Sequence, residues 1–176
     1  MISTKLENAI RDIADFPKPG IVFKDITPIL KDASLCNEVI DEFVRQLEGV
    51  EIDVIAGIES RGFLFGLMLA NRLNIPFVPI RKKGKLPFKT VEEPCELEYG
   101  SAILELHTDA ISPGQKVLIH DDLLATGGTV SAATRLVKKL EGKVAGYAFV
   151  ISLDFLNAKE KLEVVSENII TLVSFK

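Results

Sequence analysis

The sequence predicts an α/β fold: a single domain with a mostly parallel central sheet flanked by helices. Three observations carry that prediction. Apolar runs of strand length alternate with amphipathic stretches of helix length, a pattern that winds strands and helices into one layered sheet. Twice, over 53–73 and 116–140, a short β-branched run is followed by a polar or glycine-bearing turn and then a helix. No internal repeat or low-complexity tract interrupts the alternation. With 176 residues, 47% apolar and 26% charged, the chain is long enough to bury one core and too short to favour two. The domain therefore spans 1–176, with an N-terminal segment over 1–33 and a charged, turn-rich region over 82–106 set apart from the alternating units.

The elements follow in order. Thr4 with Glu7 has the spacing of a capping box, and Leu6, Ile10 and Ile13 recur every three to four residues, so a first helix is expected to run up to the break at Phe16-Pro17-Lys18-Pro19-Gly20. A second helix is expected from Ser34 to about Leu47, with Leu35, Val39, Ile40, Phe43, Val44 and Leu47 on one face. Asp53 to Ile58 reads as a buried strand, Glu59 to Gly62 as its turn, and Phe63 to Leu73 as the helix behind it. Pro76 to Ile80 is the next strand. The segment from Arg81 to Glu96 is rich in charge, glycine and proline and reads as a long mobile loop. Glu96–Tyr99 and Ala102–His107 alternate around Gly100-Ser101 as a hairpin. Lys116 to His120 is a strand, Asp121 to Thr129 its turn, and a helix follows carrying Val130, Ala133, Leu136, Val137 and Leu140. Val144–Leu153 and Ile169–Phe175 close the sheet.

Composition removes several classes of function. Cys36 and Cys95 are far apart and no CxxC is present, so free thiols are expected rather than a disulfide framework or a zinc knuckle. A net charge of −4 argues against a nucleic-acid partner, since phosphodiester chains bind basic domains. No apolar run approaches the roughly 20 residues that cross a bilayer, and the first 16 residues lack the apolar region of a signal peptide. A cytoplasmic location with no membrane partner is expected. One basic cluster stands against the acidic average: Arg81, Lys82, Lys83, Lys85 and Lys89, which suit a small anion.

In open parallel sheets ligands bind beyond the carboxyl ends of the strands. The turn from Asp121 to Thr129 carries two adjacent carboxylates and then Ala125-Thr126-Gly127-Gly128-Thr129 at a helix start. Small residues let backbone N–H groups approach an anion, hydroxyls add donors, and the helix dipole favours negative charge. No lysine follows as a nucleoside-triphosphate P-loop requires, and no G-x-G-x-x-G exists for a dinucleotide. Two carboxylates beside such a cup would repel a phosphate unless they face sugar hydroxyls or a divalent cation. A sugar phosphate meets both demands. His120 before the acid pair invites a zinc reading, but adjacent residues on a strand point apart and His107 has no matching partner.

Val117 to Thr129, VLIHDDLLATGGT, resembles the ribose-phosphate motif of type I phosphoribosyltransferases, and its ending resembles the adenine-specific branch of that family. Phe16–Leu30 (FPKPGIVFKDITPIL), Glu59–Gly66 (ESRGFLFG) with Arg81–Pro87 (RKKGKLP), and Glu98-Tyr99-Gly100 are similar to further family stretches in the same order, so the resemblance covers nearly the whole chain.

The resemblance implies transfer of a phosphoribosyl group from phosphoribosyl pyrophosphate to adenine, giving AMP and pyrophosphate. It implies that Ala125, Thr126, Gly127, Gly128 and Thr129 hold the 5′-phosphate and that Asp121 and Asp122 hold the ribose hydroxyls. Glu59, Ser60, Arg61, Arg81, Lys82 and Lys85 would face the pyrophosphate, with Arg61 acting on the leaving group. Val22, Phe23 and Lys24, within the 1–33 segment, would recognise the purine, Phe23 by stacking and its neighbours through their backbone. Glu98 would relay a proton of the base from a lid over 82–106. Magnesium is the implied cofactor, held through the pyrophosphate and ribose oxygens rather than by direct protein ligands, and a homodimer is the implied assembly. Lys24 departs from the arginine many relatives carry, and His120 from the usual apolar residue. Two other readings remain: a non-catalytic sensor of phosphoribosyl pyrophosphate or a nucleotide, and an enzyme for xanthine, hypoxanthine or orotate.

Overall fold

The structure is a computed structural model and describes residues 1–96 and 100–176. Along the chain the elements are α1 (Ile2–Ala9), β1 (Arg11–Ala14), β2 (Val22–Asp25), α2 (Thr27–Leu30), α3 (Ala33–Gln46), β3 (Val54–Ile58), α4 (Gly62–Leu73), β4 (Phe77–Lys82), β5 (Thr90–Glu96), β6 (Ser101–His107), β7 (Lys116–Leu124), α5 (Gly128–Lys139), β8 (Lys143–Leu153), α6 (Lys159–Glu163) and β9 (Ile169–Phe175). Seven strands form the main sheet in the order β5-β6-β4-β3-β7-β8-β9. The five from β4 to β9 pair in parallel, and the β5–β6 hairpin adds antiparallel to the β4 edge. β1 and β2 make a separate antiparallel ribbon.

The sheet is buried on both faces, as parallel sheets require. On one face Ile55, Leu118, Ala148 and Val150 pack with Leu6, Ile40, Phe43, Phe65 and Leu69 from α1, α3 and α4. On the other, Val54, Ala56, Ile119, Tyr147 and Phe149 pack with Val130, Ala133, Leu136 and Val137 from α5. The strand order reverses between β3 and β7: from β3 the chain crosses through α4 to β4 on one side, and from β7 through α5 to β8 on the other. A crevice opens at that switch point, above the carboxyl ends of both strands.

Apart from Glu96–Tyr99, of which only Glu96 lies within the described residues, the predicted strands and the two long helices are found within a few residues of their expected limits. α3 is capped by Asp32, whose carboxylate accepts from the Ser34 and Leu35 N–H groups at 2.9 and 3.0 Å. Four details differ. α1 ends at Ala9, Thr4 does not cap it, and Ile13 lies in β1, where it pairs with Phe23; ribbon pairing with a distant strand outweighs the local helical spacing. Half of the expected long loop is strand β5, paired with β6 at every residue from Thr90 to Glu96. Its charges and Pro94 mislead because β5 is the sheet edge, where a missing N–H does no harm. There buried Glu93 is gripped by Arg135 and Lys139 of α5, each at 2.8 Å. β7 continues through the acid pair to Leu124 instead of ending at His120. Finally, α6 and the turn before it have no strong periodic signal and are recognisable only in the fold.

Candidate active site

The crevice at the switch point is a cleft of about 430 Å³ lined by the turn after β3 (Ile58 to Arg61), Lys82 and Leu104, and the run from Asp121 to Val130. Four separate stretches of sequence therefore meet in one place. Asp121 and Asp122 reach it together although both are still in β7. The last β3–β7 pair is Gly57 with His120, so β7 outruns its neighbour and leaves that edge open over the end of β3. Close packing beneath the turns needs glycine: a Cβ on Gly62 would lie 2.9 Å from the His120 carbonyl oxygen and 3.0 Å from an Asp121 carboxylate oxygen.

The two acids differ in environment. Burial pushes the Asp121 carboxyl well above the usual carboxylate range, and the neighbouring Asp122 charge adds to it. Asp122, 3% exposed, accepts from Arg61 Nε at 2.5 Å. The same Arg61 guanidinium lies 4.9 Å from the centroid of the Phe23 ring, and Phe16 meets that ring edge-on at 5.3 Å. Arg61 thus bridges the acid pair to the β1–β2 ribbon. The Glu59–Ser60 peptide just before it is cis.

Glu59 organises the basic cluster. Its side chain is 5% exposed; Oε2 accepts from Arg81 Nε at 3.1 Å and the Lys82 N–H at 2.9 Å, and Oε1 from Lys85 Nζ at 2.7 Å. Burial alone would raise its carboxyl, but the Lys85 and Lys82 hydrogen bonds and the Lys85 charge outweigh that and hold it below its ordinary value. Buried Glu105 accepts the Lys85 and Leu86 N–H groups at 3.1 and 2.8 Å and so shapes the same turn. Lys83 is drawn away to Glu92 at 2.8 Å.

At the far end of the cleft Gly127 caps α5 with φ +82°, a left-handed conformation that suits glycine, and the first-turn N–H groups of α5 have no partner inside the helix. The Glu96 carbonyl packs against Gly128, and Cys95 Sγ is 3.7 Å from Thr129 Oγ1, so β5 lies directly against this turn. Lys161 Nζ donates to the Thr126 carbonyl at 3.1 Å from behind.

Of the expected site residues, Glu59, Ser60, Arg61, Lys82, Asp121, Asp122 and Ala125 to Thr129 line the cleft. Arg81 and Lys85 stand behind them on Glu59, and Phe23 is joined to them by Arg61. Val22 is exposed, and Lys24 pairs with Asp12 at 2.7 Å and lies 3.9 Å from the Phe175 ring centroid. Glu98 lies outside the described residues. Reasoning from sequence did not single out Glu105 or Lys161, which contact the site through backbone groups that leave no pattern in the side chains.

Comparison with known proteins identifies the family and the fold. The phosphoribosyl transferase domain family matches residues 24–174. The adenine phosphoribosyltransferase of Cytophaga hutchinsonii is 50% identical over 99% of this chain and 97% of its own length. The crystal structure of adenine phosphoribosyltransferase from Thermoanaerobacter pseudethanolicus superposes with a TM-score of 0.94 at 50% identity, covering 99% of this chain and 100% of that one. The Saccharomyces cerevisiae adenine phosphoribosyltransferase, solved with adenine and an imino-altritol bisphosphate, does so with a TM-score of 0.91 at 43% identity over 97% and 98%. With a matching fold and half its residues shared over nearly full length, the chain belongs to the phosphoribosyltransferase family, within the adenine phosphoribosyltransferases.

Proposed function

We propose that this protein transfers the phosphoribosyl group of phosphoribosyl pyrophosphate to adenine, releasing AMP and pyrophosphate. The observation that carries this reading is the meeting of the Asp121–Asp122 pair, the Ala125–Thr129 turn and the Glu59–Arg61 turn in one cleft. An anion-binding helix start, two acids suited to a diol and a bank of cations together match the three parts of that substrate.

The 5′-phosphate sits on the N–H groups and hydroxyls of Ala125 to Thr129 at the positive end of α5. Asp121 and Asp122 accept from the 2′- and 3′-hydroxyls. Because Asp121 is held above the carboxylate range by burial and by Asp122, a diol that donates to the pair relieves their mutual repulsion. The C1′–O bond to pyrophosphate breaks largely before the base attacks, so positive charge grows on the ribose, where the carboxylates favour it, and negative charge on the leaving group. Arg61, Lys82 and the Glu59-ordered cluster of Arg81 and Lys85 stabilise that leaving group.

Adenine stacks on Phe23, with the backbone of Val22 and Lys24 reading its edge. An oxygen in place of the exocyclic amine would leave a carbonyl acceptor unpaired, a loss of roughly 1 to 3 kcal/mol per contact. Arg61 lies against the Phe23 ring, so stacking on that face displaces the guanidinium and frees it from Asp122 for the pyrophosphate. Glu98 relays the imidazole proton of the base; within the 82–106 region it is the turns beside the paired strands β5 and β6, rather than the strands themselves, that cover the ribose and keep water from the cation.

The hard oxygens of the acid pair fit a magnesium complex of the substrate. Asp121 and Asp122 would hold it through the ribose hydroxyls, and the ion would neutralise charge on the pyrophosphate. Leu64 and Leu67, exposed on α4 directly after the Arg61 turn, offer an apolar face for a second copy of the chain, and we place the homodimer contact there, in a cytoplasmic enzyme.

Pyrophosphate release with phosphoribosyl pyrophosphate, measured against a panel of bases with and without chelator, tests the reading. Adenine should be turned over fastest and chelation should stop the reaction. No turnover with any base would leave the sensor reading, and preference for an oxopurine would remove adenine. Sedimentation of a Leu67→Glu variant should show a monomer where the unaltered chain shows a dimer.

A further inference from the structure

Against the Ala125–Thr129 turn, outside the lining of the cleft, stands α6. It is short, but it is docked: Ala158 and Leu162 are buried in the core that also holds Val130 and Leu136 of α5. Lys159 pairs with Asp154 at 3.0 Å and ties the start of α6 to the end of β8. From this mount Lys161 extends along Gly127. The Ala158 Cβ lies 3.3 Å, and the Lys161 Cδ 3.8 Å, from where a Gly127 side chain would begin, and Lys161 Nζ donates to the Thr126 carbonyl at 3.1 Å.

Thr126 and Gly127 share that peptide, which is trans. In a planar trans peptide the C=O and N–H vectors point in opposite directions. A carbonyl held outward by an ammonium therefore aims the Gly127 N–H the other way, toward the cleft that Thr126, Gly127 and Gly128 line. The bond matters most here because Gly127 is left-handed with φ +82°, and glycine alone imposes little on the orientation of its flanking peptides.

We propose that Lys161 is a positioning residue for the phosphate loop: it locks the Thr126–Gly127 peptide with its N–H directed at the phosphate monoester, and adds a positive charge behind that peptide. The inference rests on the reading of Ala125 to Thr129 as the 5′-phosphate site. It assigns to α6, which takes no part in the chemistry, a share of phosphate affinity.

The test compares Lys161→Met, which keeps the apolar stem and removes the ammonium, with Lys161→Arg and the unaltered enzyme. AMP and adenosine are used as inhibitors, and KM is measured for both substrates. AMP should inhibit the unaltered enzyme far more strongly than adenosine does; if the two inhibit equally, the phosphate-site reading itself fails, and this inference with it. Given that difference, Lys161→Met should weaken AMP inhibition and raise the KM for phosphoribosyl pyrophosphate by about tenfold, the scale of one charge-assisted hydrogen bond. The KM for adenine should stay unchanged, and Lys161→Arg should restore most of the loss. Unaltered AMP inhibition in Lys161→Met, or an equal rise in both KM values, would overturn the proposal, the second because it marks a general disturbance of the fold.

Discussion

Acidification from about pH 7.5 to pH 5 should weaken this fold through one residue, His120. The imidazole is fully buried on the middle strand β7, edge-on to Phe43 at 5.6 Å and against Gly66, where an added Cβ would come within 3.2 Å of the ring. Among the described residues neither ring nitrogen has a hydrogen-bond partner; the Ala148 backbone is near enough to favour the charged form slightly but completes no bond. Burial lowers its pKa from 6.5 to about 4. A histidine whose folded pKa lies below its unfolded value destabilises the fold as pH falls through 6.5, because the unfolded chain takes up a proton that the folded one refuses, and the loss levels off below 4. From those two values the loss is about 2 kcal/mol at pH 5 relative to pH 7.5, approaching roughly 3 kcal/mol at its limit. Next along the strand, Asp121 has the opposite sign: its raised pKa makes the folded state the better proton acceptor, so its contribution improves as pH falls. Asp25, Glu42, Glu59, Glu93 and Asp154 are all held below their ordinary values of 3.8 to 4.5, and their stabilisation is lost mainly as pH falls through and below that range, outside the window. Comparison with His120→Leu isolates the histidine. Urea denaturation of both proteins at the two pH values and one protein concentration should show the unaltered chain losing about 2 kcal/mol more than the variant. Equal losses in the two would refute the assignment of a neutral, unpaired imidazole behind the acid pair.

Further expectations concern the cap, the turns and the cleft. Asp32→Ala removes the two bonds that cap α3 and should lower stability by about 1 kcal/mol in thermal or urea melts, with turnover unchanged. Gly128→Ala drives a methyl into the Glu96 carbonyl, so β5 must shift; it should cost about 1 to 3 kcal/mol and abolish most turnover, and a fully active variant would contradict the packing of β5 on this turn. Glu59→Gln keeps the shape but removes the charge that orders Arg81 and Lys85; steady-state kinetics should show a raised KM for phosphoribosyl pyrophosphate with that for adenine unaffected. Asp122→Asn removes the anchor of Arg61 and an acceptor for the ribose, and should weaken AMP binding by about tenfold in calorimetry while circular dichroism stays unchanged.

Much of this molecule could be read from the chain alone. β3 is a short β-branched run and β8 a longer apolar one, and their burial on both faces leaves no alternation to misread; α3 and α5 each carry an unbroken apolar stripe. The turn Asp121–Thr129 is legible from its residue types, because small residues and paired acids after a strand serve few purposes other than binding an anion beside a sugar, whereas Glu59–Arg61 is marked by the family resemblance. Local rules failed where pairing with a distant segment decided the outcome. Ile13 fits a helical spacing yet pairs with Phe23, and Thr90 to Glu96 has the composition of a loop yet is held as a strand by β6 and by Arg135 and Lys139.

By itself the sequence determined the kind of layers, the buried strands and the residue types of the cleft, since these follow from hydrophobic period and turn chemistry within a few residues of chain. Tertiary structure alone decided that β7 outruns β3 and brings both acids to the cleft, that Arg61 joins Asp122 to the Phe23 ring, that Glu59 gathers the cations, and that Lys161 reaches the back of the phosphate turn. Each of these depends on the relative lengths of neighbouring strands or on a side chain meeting backbone far away in sequence. Neither leaves a local periodicity, because the energy that selects it is gained only once the sheet has assembled.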